Sequence, residues 1–139
     1  MQDKWITKDT LHICRMLGEK EDLADRVVLL FGWGPEEVGR TSSLLYLAET
    51  ASSMNLEVDV FFYAEGVVLA RAGVAEKIDP DIGERFRRLV RDSKVRFHAC
   101  SEAAHKRAIS DKDLVPSISM IGYAAFLDKV VEAKAVITV

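Results

Sequence analysis

The stretch Val27-Val28-Leu29-Leu30-Phe31-Gly32-Trp33-Gly34-Pro35 decides the fold class. From Val27 to Phe31 no polar residue interrupts, so the run does not alternate as a strand with one wet face would. It matches a strand covered on both faces, as at the centre of a parallel sheet. The glycines and the proline then break the strand, and proline at a first helical position sacrifices no backbone hydrogen bond. Leu44, Leu47, Ala48, Ala51 and Met54 follow at helical spacing and mark a buried stripe that ends near Asn55. The same turn resembles a phosphate loop only superficially. It lacks the Lys and Ser/Thr of a P-loop and the third glycine of a dinucleotide fingerprint, so a tight strand-to-helix turn is the simpler reading.

Working outward, Val58 to Tyr63 reads as a second apolar strand, and Gly66 to Ala72 as a short helix that Gly73 can close in the left-handed conformation. After a polar stretch and Pro80, the spacing of Ile82, Phe86, Leu89 and Val90 predicts an amphipathic helix. Its outer face carries Arg85, Arg87, Arg88 and Arg91, a solvated face rather than an anion-binding patch. Val95 to Ala99 is a third strand, and its alternation puts Arg96, His98 and Cys100 on one side. A helix from Ser101 to Arg107 and a fourth strand at Ile118 to Ile121 come next. The last helix is expected to bury Tyr123, Phe126, Leu127, Val130 and Val131, and Ala135 to Val139 closes the chain as a fifth strand. Strands alternating with helices predict an α/β fold, a three-layer α/β/α sandwich with a mostly parallel five-stranded sheet. Residues 26–139 form this domain; residues 1–25, polar and without β-branched runs, read as a helical extension that packs on it or on a neighbouring subunit.

The chain has 139 residues, nearly half of them hydrophobic, enough for one domain with one core. A formal net charge of -3, without a basic block, argues against a nucleic-acid scaffold, which needs clustered Lys and Arg. Two cysteines, Cys14 and Cys100, are too few for a disulfide framework, and no leader-like segment opens the chain. Free thiols in a reducing, cytoplasmic setting are expected. The longest apolar runs, such as Met120 to Leu127, fall far short of the ~20 residues that cross a bilayer, so no membrane role is expected.

Cys100 carries the chemistry of interest because it stands where a strand hands over to a helix, and ligands of such sheets gather beyond the carboxyl ends of the strands. A thiol attacks only as thiolate, and the unpaired amides at a helix start favour an anion. His98, two residues back on the same strand face, can assist proton movement. His105 lies about a turn further on, and Ser101 is the expected helix cap. Glu65, at the end of the second strand, is a candidate to handle protons at the same rim or simply begins a helix. The alternative for Cys100 is a small buried hydrophobe, the ordinary state of a free cysteine. His98, Cys100 and His105 also have the residue types of a zinc site, but no second cysteine lies close in sequence, though Cys14 could fold in; neither metal nor cofactor is expected. Cys14, without a flanking pattern, is a core or surface thiol or else a resolving thiol for Cys100.

Three stretches together resemble one family. Val58-Asp59-Val60-Phe61-Phe62-Tyr63-Ala64-Glu65-Gly66 looks like the second strand and turn of DsrE/DsrF-like proteins. Val95-Arg96-Phe97-His98-Ala99-Cys100-Ser101-Glu102-Ala103-Ala104 is similar to their cysteine-bearing strand and helix, and the segment from Asp113 through Met120-Ile121-Gly122-Tyr123-Ala124-Ala125-Phe126-Leu127 to Val139 to their final helix and strand. Members serve the Dsr and Tus sulfur-relay systems, where a cysteine holds sulfane sulfur as a persulfide and passes it on. The resemblance therefore implies a sulfur carrier or sulfurtransferase-like protein using Cys100, with sulfur donor and acceptor proteins or small sulfane-sulfur compounds as partners, and a homo-oligomer. Two features depart from the pattern: residues 1–25 have no recognised counterpart, and Ser101 to Arg107 stands where some relatives carry another cysteine or a methionine-rich segment. The alternative is a non-catalytic binding or assembly module on the same fold. A thiol peroxidase ranks below both, since no Thr-X-X-Cys arrangement is present.

Overall fold

Each β-rich run forms a strand, and the strands pair in one sheet. They are β1 (Arg26–Phe31), β2 (Glu57–Phe62), β3 (Val95–Cys100), β4 (Ser119–Ile121) and β5 (Ala135–Thr138), in the order β4-β3-β2-β1-β5. All four pairings are parallel. The computed structural model describes residues 25–139; the expectations for Cys14 and, apart from Asp25, for the extension fall outside them. The helices are α1 (Val38–Ser53), α2 (Val74–Ile78), α3 (Pro80–Val90), α4 (Ser101–Lys106) and α5 (Tyr123–Glu132), with 3₁₀ segments at Ala64–Ala70 and Asp111–Asp113.

From β1 to β4 the chain steps across the sheet in one direction. The connection through α5 then returns to pair β5 with the far side of β1. Because such crossovers keep one hand, the reversed step carries α5 to the opposite face. The aromatic contacts follow this division. Phe62 meets Phe86 of α3 edge-on, while its neighbour Phe61, pointing the other way, stacks on Phe126 of α5 with ring centroids 4.1 Å apart.

The two faces differ in chemistry. Toward α1 and α3 the sheet presents Leu29, Phe31, Val58, Val60, Phe62 and Phe97, all buried and apolar. Register puts Asp59, Phe61, His98, Cys100 and Ser119 on the α5 side, where Asp59 and His98 are buried polar residues. Gly66 shows why the exit of β2 needs glycine: a Cβ there would lie 2.2 Å from the Phe31 carbonyl oxygen.

Four local expectations are corrected. The first helix starts at Val38 rather than at Pro35, because Glu37 N–H closes a turn on the Gly34 carbonyl (3.1 Å) before the helix begins. The polar stretch after Ala72 contains α2, and Gly73, left-handed at φ 88°, opens that helix instead of closing the preceding one. Leu47 and Met54 are exposed rather than part of the buried stripe of α1, whose inner face is Thr41, Leu44, Leu45, Ala48, Ala51 and Ser52. Finally, α5 does not bury its stripe. Tyr123, Leu127 and Val131, spaced one turn apart, are 53%, 56% and 76% exposed, since among the described residues α5 is the one helix on its face and rests on the sheet through Phe126.

Candidate functional site

Cys100 is the last residue of β3 and also the cap residue of α4, with extended backbone (φ −64°, ψ 120°) and no side-chain cap hydrogen bond. Parallel pairing with Ile121 fixes its side chain on the α5 face at the carboxyl edge of the sheet. Ser101, the expected cap, is instead the first helical residue, because the strand runs one residue further than the sequence pattern indicated. Cys100 itself is only 1% exposed.

Tyr123, the first residue of α5, meets it there. Hydrogen bonding to Cys100 is the largest cause that raises the pKa of the phenol above its ordinary value, followed by the charges of Cys100 and Glu102. Tyr123 is largely exposed, at the start of α5 two residues after the sheet partner of Cys100. Sequence reasoning had assigned Tyr123 to the core. The signal that could have found it is its place directly after Gly122, where β4 ends and α5 starts at the same sheet edge as Cys100.

The other candidates separate into two groups. His105 is exposed and lines an open hollow of about 490 Å³ together with Ser101, Glu102 and Met120, beside the cysteine-bearing junction. Glu65 lies in the 3₁₀ segment after β2 and accepts a hydrogen bond from Arg107; that bond and the arginine's charge lower its carboxyl pKa. The preceding Ala64, at φ 46°, carries the left-handed backbone that turns the chain there.

His98 is engaged by two other side chains. Its Nε2 lies 2.8 Å from Asp59 Oδ1 and its Nδ1 3.0 Å from Ser119 Oγ, so both ring nitrogens are engaged. Arg26 donates to the other Asp59 oxygen at 2.7 Å, and Lys129 of α5 stands 3.9 Å from the first. Burial opposes ionisation of Asp59, but the hydrogen bonds from His98 and Arg26, with the attraction of His98 and Lys129, outweigh it and hold the pKa at about 2. Asp59 and Ser119 were missed as site residues, although a lone carboxylate inside the apolar run Val58 to Phe62 was a legible signal. Among the described residues, no three of His, Cys, Asp and Glu gather to hold a metal ion, so His98, Cys100 and His105 do not form such a group.

Solved structures share this fold, two of them as follows. A protein of unknown function, MTH1491 from Methanobacterium thermoautotrophicum, superposes with a TM-score of 0.69 at 19% identity, covering 83% of this chain and 99% of its own. The ychN protein from E. coli gives a TM-score of 0.66 at 19% identity, over 84% and 100% of the respective chains. No curated protein matches the sequence. The family model that matches, over residues 25–139, is that of the DsrE/DsrF-like proteins, and the chain belongs to this family.

Proposed function

We propose that this protein carries sulfane sulfur on Cys100. The Cys100 thiolate attacks the outer sulfur of a donor persulfide, the donor leaves as thiolate, and the extra sulfur then passes to an acceptor thiol by the same exchange in reverse. The observation that carries this reading is the position of Cys100 at the β3–α4 junction, paired with Ile121 two residues before the start of α5 at Tyr123, in a chain of the DsrE/DsrF-like family. The first-turn amides of α4 and the phenol are donors of the kind that steady a sulfur anion. Proton handling falls to Tyr123 rather than to His98, whose ring nitrogens are taken. Entry of a donor requires the Tyr123 ring to swing aside.

The exposed stripe Tyr123, Leu127 and Val131 supports a homo-oligomer in which α5 faces another subunit, since soluble monomers rarely leave such a helix face uncovered. A second reading, a non-catalytic assembly module, is favoured by the burial of Cys100 together with this stripe. Intact-mass measurement after incubation with a small-molecule persulfide distinguishes the two. The carrier gains one sulfur on wild type and none on Cys100→Ser; absence of the gain on wild type, or an equal gain on the variant, leaves the assembly module. Among the described residues no helix is long and apolar enough to cross a membrane.

A further inference from the structure

We propose that Ser119, His98 and Asp59 form a second reactive centre, a Ser–His–Asp relay that takes small acyl groups from activated esters or thioesters onto Ser119. One residue comes from each of three adjacent strands, all on the α5 face of the sheet. The distances are those of a working relay, 2.8 Å from aspartate to one ring nitrogen and 3.0 Å from the other ring nitrogen to the serine hydroxyl. Exposure rises along the chain of bonds. Asp59 is 1% exposed, His98 6%, and Ser119 is open to solvent at the start of edge strand β4.

The proton positions follow from the acid. An ionised carboxylate only accepts, so His98 presents N–H to Asp59 from Nε2, and whenever the ring is neutral its Nδ1 lone pair faces the Ser119 hydroxyl. Arg26 grips the second carboxylate oxygen and fixes the acid's orientation from the far side. Here serine meets Nδ1 and aspartate meets Nε2; imidazole relays a proton in either sense, so the roles are unchanged.

A cavity of about 220 Å³ adjoins the pair. It forms because β4 has only three residues and, among the described residues, no strand pairs with the outer edge of β3 from Val95 to Phe97. Ser117, Arg96 and the carboxylate of Asp92 line it beside the pair, and Val90 and Phe97 add apolar wall, room for a short acyl chain. In the reaction Ser119 Oγ bonds to the carbonyl carbon and its proton moves to His98 Nδ1. The carbon–oxygen or carbon–sulfur bond to the leaving group breaks, and the leaving alcohol or thiol takes that proton. Water then repeats the sequence and frees the carboxylic acid.

The test uses the chain with both Cys14→Ala and Cys100→Ala, so that no thiol contributes. A fluorophosphonate probe with peptide mapping is expected to modify Ser119, and p-nitrophenyl acetate to be hydrolysed. His98→Gln is expected to lower both rates by about a hundredfold or more, and Ser119→Ala, an exposed and conservative change, to abolish them with the fold intact by circular dichroism. No adduct on Ser119, or unchanged hydrolysis in folded Ser119→Ala, overturns the proposal. Neither result bears on sulfur loading of Cys100.

Discussion

His98 Nε2 and Asp59 Oδ1 lie 2.8 Å apart, joining β3 to β2 under α5 with both side chains almost wholly out of water. The pair accounts for two polar residues in an otherwise apolar layer. Each satisfies the other, and Arg26, Lys129 and Ser119 satisfy what remains.

The first prediction concerns that carboxylate. Removing it leaves His98 buried without its acceptor, so Asp59→Ala is expected to lose about 2–4 kcal/mol of stability. Arg26 and Lys129 keep partial access to water and soften the loss. Urea denaturation near pH 7 measures it; a change within ±0.5 kcal/mol would refute the account.

Acid should erase the difference. The pKa of Asp59 is lowered from 3.8 to about 2 in the folded chain, so the unfolded chain takes up the proton first as pH falls. The stabilisation is present above pH 4 and is lost as pH drops from about 4 toward 2. Urea midpoints of wild type and Asp59→Asn should therefore converge over that interval. A gap that stays constant would assign the stability to other groups.

Tyr123 is expected to gate the sulfur. With the ring removed in Tyr123→Ala, alkylation of Cys100 by iodoacetamide should accelerate several-fold, because the wild-type thiol is buried beside that side chain. Equal rates would mean that the sulfur is reached by another route or not at all.

The exposed stripe makes an assembly prediction. Charge introduced by Leu127→Glu with Val131→Glu should shift the protein to smaller species in sedimentation velocity while the monomer fold survives, since both residues are exposed in the isolated chain. Unchanged sedimentation would remove α5 from any subunit contact.

At the exit of β2, Gly66→Ala is expected to cost about 1–3 kcal/mol, because the new methyl would collide with the Phe31 carbonyl and backbone must move. Thermal unfolding tests it, and a neutral effect would show that the turn can yield.

The elements and their kind were legible in the chain itself. An uninterrupted run such as Val27 to Phe31 can only be covered on both faces, and the alternation of Val95 to Cys100 put His98 and Cys100 on one side, where the register keeps them. These are consequences of backbone period, which acts within a few residues. What the sequence could not supply was every relation that spans the sheet: the order β4-β3-β2-β1-β5, the partners Asp59 and Ser119 that claim His98, and Tyr123 at the sulfur. Local pattern also misassigned the stripe of α5. An amphipathic spacing states that a helix has an apolar face, while only the tertiary packing decides whether the chain itself provides the surface that covers it.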